Sequence, residues 1–126
     1  MTTITHINPP TLHTSPAFSQ AVLASGGQTL YVGGQNGTTA DGTLVEGYGE
    51  QTKQALRNIT AILAEVGAEQ SDVVKLTIHI VEGQDANEGY AASAAVWTAR
   101  TAVTVVTVSA VGRPGALVEI DAIAVI

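Results

Sequence analysis

Arg100 and Glu119 are the residues of this chain whose types invite chemistry. The planar fork of an arginine grips a carboxylate through two parallel charged hydrogen bonds. Glu119 interrupts the apolar run Leu117-Val118-Glu119-Ile120-Asp121-Ala122-Ile123-Ala124-Val125. A carboxylate in such a strand must be solvated or partnered, because an unpaired buried charge is too costly to keep. Each residue also has a plainer use. Arg100 follows a helical segment and suits a helix end or a surface ion pair. Glu119 can serve an interface cation or a backbone donor, and Asp121, on the same strand face, competes for any acidic role.

Gly33-Gly34-Gln35-Asn36-Gly37 is the second segment of interest. It contains no dinucleotide or Walker pattern and opens no helix. It reads as a strand end with a turn, or as backbone that a small ligand approaches closely, since glycine removes the blocking side chain. His6, His13 and His79 share no ligand spacing, so the sequence predicts no metal site and no cofactor. Ser19 and Ser93 lie in no nucleophile elbow and read as ordinary polar residues. Arg113, in a Gly/Pro turn, reads as exposed.

Composition narrows the function classes. A chain of 126 residues predicts one domain, spanning residues 1–126, that buries its own core. The absence of cysteine removes disulfides, thiol nucleophiles and thiolate metal sites, and suits the cytoplasm. No apolar run reaches membrane-spanning length, and the N-terminus lacks the basic-then-apolar order of a signal peptide. The net charge of -6, with five scattered basic residues, disfavours nucleic acid and anionic membranes as partners. Only 13% of residues are charged and 45% are apolar, against about 25% charged in an ordinary domain. That imbalance predicts a surface covered by other copies of the chain.

The elements that must position these residues follow from periodicity. Residues 3–7 alternate weakly as a strand, ended by Asn8-Pro9-Pro10. Residues 19–24 and 29–33 read as two strands around the turn Ser25-Gly26-Gly27. Ala55, Ile59, Ile62, Leu63 and Val66 form one apolar stripe, predicting a helix over 49–66 that stops at Gly67. Val74, Leu76, Ile78 and Ile80 then face that helix from a half-buried strand, with Lys75, Thr77 and His79 on its other side. Asp85-Ala86-Asn87-Glu88 opens a second helix ending near Thr98, with Tyr90, Ala94 and Trp97 along one side. Strands over 101–109 and 117–126 close the chain around the turn Gly112-Arg113-Pro114-Gly115. The order β-β-β-α-β-α-β-β predicts an α+β domain, a mixed sheet with two helices on one face. The opposite face, rich in Thr, Ser, Ala and Val, wants a cover that sheet packing between subunits would supply.

Phe18-Ser19-Gln20-Ala21-Val22, Val32-Gly33-Gly34-Gln35, the segment from Gln51 to Ile59, Asp72-Val73-Val74-Lys75-Leu76-Thr77, Arg100-Thr101-Ala102-Val103 and the closing strand through Glu119 resemble, in this order and spacing, the RidA/YjgF family. The resemblance runs over about residues 16–125. It implies a chorismate-mutase-like fold and a homotrimer whose sheets pack together, with small-molecule clefts between subunits. It implies hydrolysis of reactive enamines and imines, such as 2-aminoacrylate, to 2-oxo acids and ammonia. By the same resemblance Arg100 grips the substrate carboxylate, Glu119 positions or activates water, and the backbone at Gly34 lines the cleft. Phe18 stands where the family commonly has a tyrosine that reaches the cleft. The interval from Arg100 to Glu119 is longer than in deaminating members. If it is a longer hairpin, Arg100 slides along its strand and Val103 or Thr104 takes its place. An imine/enamine hydrolase and a non-catalytic metabolite-binding or regulatory trimer with a remodelled cleft are therefore both expected readings. Ribonuclease activity, known among relatives, fits the acidic balance poorly.

Overall fold

The predicted first helix is α1, Tyr48–Glu65, in the computed structural model, which describes residues 2–126. Its stripe is real: Ala55, Ile59 and Leu63 are fully buried, while Val66 falls past the helix end and is 45% exposed. Lys53, off the stripe, pairs with Glu50 at 3.3 Å.

The strands are β1 Thr3–Ile7, β2 Ala21–Ser25, β3 Thr29–Gln35, β4 Val73–Val81, β5 Ala102–Val108 and β6 Val118–Val125. The second helix, α2, is Ala86–Ser93. The chain is α+β, with both helices on one side of a mixed four-stranded sheet of order β3-β6-β4-β5. β1 and β2 form a separate antiparallel pair.

Two expected adjacencies are corrected by this topology. β2 and β3 flank a turn without pairing, because β3 takes β6 as its neighbour instead. Gln28 and Ile126 fix the end of that pair through reciprocal backbone bonds of 2.9 and 3.0 Å. β5 and β6 do not form a hairpin either: β4 lies between them, parallel to β5 and antiparallel to β6.

β4 carries a bulge at Val74, so Val73 rather than Val74 turns into the core. From there the pattern holds, with Leu76 and Ile80 buried under the helices and Lys75, Thr77 and His79 on the other face. β6 alternates cleanly: Val118, Ile120, Ala122 and Ala124 are almost wholly buried, and Glu119 and Asp121 point the opposite way.

α2 begins as predicted, with the Asp85 carboxylate accepting from Asn87 N at 2.9 Å. It ends at Ser93, earlier than the expected Thr98. Gln70 explains the early stop: its amide accepts from Thr98 N at 3.0 Å and donates to Val96 O at 3.0 Å. Those bonds replace further helical ones and turn the chain toward β5.

Candidate functional site

Glu119 is held over Gly34. β3 inserts an extra residue between Val32 and Gln35, so that Gly33 and Gly34 bulge opposite Asp121. A Cβ on Gly34 would stand 2.7 Å from the Glu119 carboxyl carbon and from Oε2. Only a glycine there lets the carboxylate lie across the backbone. Glu119 is half-buried on the sheet face that no helix covers, beside His79, whose Nδ1 is 3.2 Å from the Glu119 carbonyl oxygen. The structure thus brings together two residues singled out in different parts of the sequence.

Arg100 and Phe18 form a second pair. Arg100 lies just before β5 and is exposed; its Nε donates to Phe18 O at 3.1 Å and its Nη2 to Ser15 O at 2.6 Å. Both bonds use one edge of the fork. Among the described residues Nη1 donates to nothing, so the end of the guanidinium keeps the two-donor edge that suits a carboxylate. Ser19 N donates to Thr101 O at 2.9 Å, tying the Phe18 segment to the outer edge of β5.

The register of Arg100 is set by β4. Lys75 pairs with Ala102 and His79 with Val106, and His79 also pairs with Glu119. Arg100 therefore sits near the level of Val73, on the order of 20 Å along the sheet from Glu119 at about 3.3 Å per residue. Arg100 and Glu119 are not joined through a β5–β6 hairpin, since β4 lies between the two strands. Within one chain the fork and the acid are apart.

Other residues differ from their sequence reading. Arg113 is half-buried, donating through Nη1 to Thr38 Oγ1 at 2.9 Å and through Nη2 to Gly42 O at 2.8 Å. It joins the loop after β3 to the crossover before β6. Ser19 is buried and shares a 2.7 Å hydrogen bond with His6 Nδ1, which fastens β1 beside the start of β5. Gln51 was missed: it is 3% exposed and its Oε1 accepts from Leu117 N at 2.8 Å, anchoring the entry to β6 and hence Glu119. Its signal was a polar residue one turn before Ala55 on the apolar stripe.

No helix among the described residues is long and apolar enough to cross a membrane. The architecture is that of a small α+β protein presenting an uncovered, acid-bearing sheet face beside two helices. The family described as endoribonuclease L-PSP matches residues 10–126. A solved Yersinia pestis structure, of a conserved Rid-family protein YyfB of unknown function, superimposes with a TM-score of 0.87 at 33% identity and covers 98% of both chains. A cattle protein named 2-iminobutanoate/2-iminopropanoate deaminase is 40% identical over 114 residues, 86% of this chain and 79% of its own length. The fission-yeast mitochondrial protein mmf1 is 35% identical over 98% of this chain and 77% of its own length. The chain belongs to this family, the RidA/YjgF family.

Proposed function

We propose that the chain hydrolyses 2-enamine and 2-imine acids to 2-oxo acids and ammonia, at clefts between subunits of a chorismate-mutase-like homotrimer. The observation that carries this reading is the Glu119 carboxylate laid over Gly34 on an open sheet face. The name of the cattle relative supports the substrate class. A single chain separates Glu119 from Arg100, so the reading requires a neighbouring copy to bring another Arg100 to each Glu119. The exposed Tyr31 and Val106, 75% and 38% accessible on the same face as Glu119, favour such a cover.

In this reading the free edge of Arg100 binds the substrate carboxylate and fixes the imine carbon. Glu119 takes a proton from water as the new C–O bond forms. Acting on the protonated imine, to which an enamine first tautomerises, it returns that proton to nitrogen and takes the remaining hydroxyl proton of the carbinolamine as the C–N bond breaks, so that C=O forms and ammonia leaves. The imine carbon is already electrophilic, so placement of water and one proton is the main demand.

Ammonia release from freshly generated 2-iminobutanoate tests the proposal. Wild-type protein accelerates release, and Arg100→Ala and Glu119→Gln return it to the spontaneous rate with the assembly intact. Only the spontaneous rate from wild-type protein overturns it. Phe18 favours a second reading, a metabolite binder without turnover, because the cleft loses a hydroxyl and gains apolar surface. Stabilisation by a 2-oxo acid without turnover would select that reading. RNA cleavage draws little support: the chain carries five basic residues against eleven acidic ones, and Lys53 is paired with Glu50.

A further inference from the structure

Beside Glu119 on the uncovered sheet face stands a second group able to hand over a proton. His79 of β4 is the residue directly opposite Glu119 of β6, and such cross-strand partners have Cβ atoms about 4.5–5.5 Å apart. Both are half-buried. The His79 Nδ1 lies 3.2 Å from the Glu119 carbonyl oxygen. A carbonyl oxygen only accepts, so Nδ1 carries the hydrogen. That bond holds the ring against the β6 backbone and turns Nε2 away from it. Among the described residues Nε2 has no hydrogen-bond partner.

The two side chains stand on opposite sides of β6. The Glu119 carboxylate lies over Gly34 of β3, whereas His79 rises from β4, on the other flank of the same strand. Neighbouring strands are about 4.8 Å apart, so the strip of β6 between acid and imidazole is wide enough for an acid of about three or four carbons. Val106, level with His79 on β5, closes the far side with apolar surface. The other charged groups of this face are less well placed. Asp121 lies farther along β6, opposite Thr77, and Lys75 donates to Thr104 Oγ1 at 2.6 Å. His79 is the one level with Glu119.

Hydrolysis at Glu119 starts from the protonated imine, and an enamine reaches that form only by gaining a proton on carbon. We propose that His79 is the acid for that step, so that the chain takes the enamine itself as substrate. The imidazolium gives its Nε2 proton to C3 of the 2-enamine acid. The C=C electron pair forms the new C–H bond, the nitrogen lone pair forms C=N, and neutral imidazole recovers a proton from solvent. Histidine suits the task because it changes between its two forms near neutral pH. Glu119 then serves the water that attacks C2, one bond away. This assignment rests on the hydrolase reading above and adds the acid which that reading lacks.

The test is 2-aminocrotonate, released by a threonine dehydratase in heavy water, with the 2-oxobutanoate formed trapped at once by lactate dehydrogenase and NADH. NMR of the C3 protons, read against the generating enzymes alone, shows which face received deuterium. Wild type should favour one face. His79→Asn keeps an amide N–H where Nδ1 stands and has nothing at Nε2, so it should return the mixture to that of the generating enzymes. Ammonia release gives a second arm. Dehydration of L-serine supplies 2-aminoacrylate, an enamine, and oxidation of D-alanine supplies 2-iminopropanoate, the imine of the same product. His79→Asn should cut kcat for the enamine at least about fivefold more than for the imine, as loss of a general acid at carbon predicts. Equal losses on the two substrates would make His79 a mere support for Glu119 and overturn the proposal, as would no loss on either. Accelerated ammonia release by wild type without a favoured face sinks the role of His79 and leaves the hydrolase reading standing. A favoured face with only spontaneous ammonia release does the reverse.

Discussion

Gly34 and Glu119 meet because a bulge in β3 removes the place where a side chain would stand. Gly34→Ala puts a methyl group where the carboxylate now lies, but the obstructed atoms belong to the movable end of a glutamate. The expected outcome is displacement of Glu119, with imine hydrolysis reduced at least about tenfold and stability changed by less than about 1 kcal/mol. Parallel assays of ammonia release and thermal melting check both halves. A large fall in melting temperature with activity per folded molecule unchanged would contradict this account. The two residues were legible separately, one as a glycine-rich strand end and the other as a misplaced acid. Their contact was not, because a bulge depends on the partner strand and leaves no local pattern.

At the level of elements, Gln51 couples α1 to β6. Gln51→Ala leaves the Leu117 N–H without its acceptor, and denaturant unfolding should show a loss of about 1–3 kcal/mol. The packing of α1 against α2 gives a second expectation. Burial, and then the charges of Glu88 and Asp85, raise the Tyr48 phenol above its ordinary value of 10.0. The folded chain thus holds that proton more tightly than the unfolded chain does. Stability from the neutral phenol is complete below about pH 10 and is lost as pH rises through the folded-state value. Melting temperature should therefore fall more steeply above about pH 10 in wild type than in Tyr48→Phe; equal slopes would count against the burial of the phenol. Helix α1 was readable because its stripe is local. The end of α2 was not, since Gln70, distant in sequence, supplies the bonds that stop it.

For the whole molecule, low charge and the uncovered sheet face give the same expectation, association through the side bearing Tyr31 and Val106. Val106→Asp adds a charge to that face without entering the helix-side core. Sedimentation should show smaller species with unchanged far-ultraviolet dichroism and lost imine hydrolysis. Retained assembly and activity would place the contact elsewhere. Fold class followed from element order, while strand neighbours did not. Turn signals suggested adjacent hairpins at both ends of the chain, but pairing at a distance is decided by which edges remain open once β6 is central.

That central placement of β6 and β4 frees the stretch from Ser109 to Gly112, which spans two strands that never bond to each other. Extra residues there change neither register, and each doubling of a flexible loop costs only about 0.6 kcal/mol. The same stretch is thus a natural point for grafting a peptide or a fluorescent label onto a working assembly.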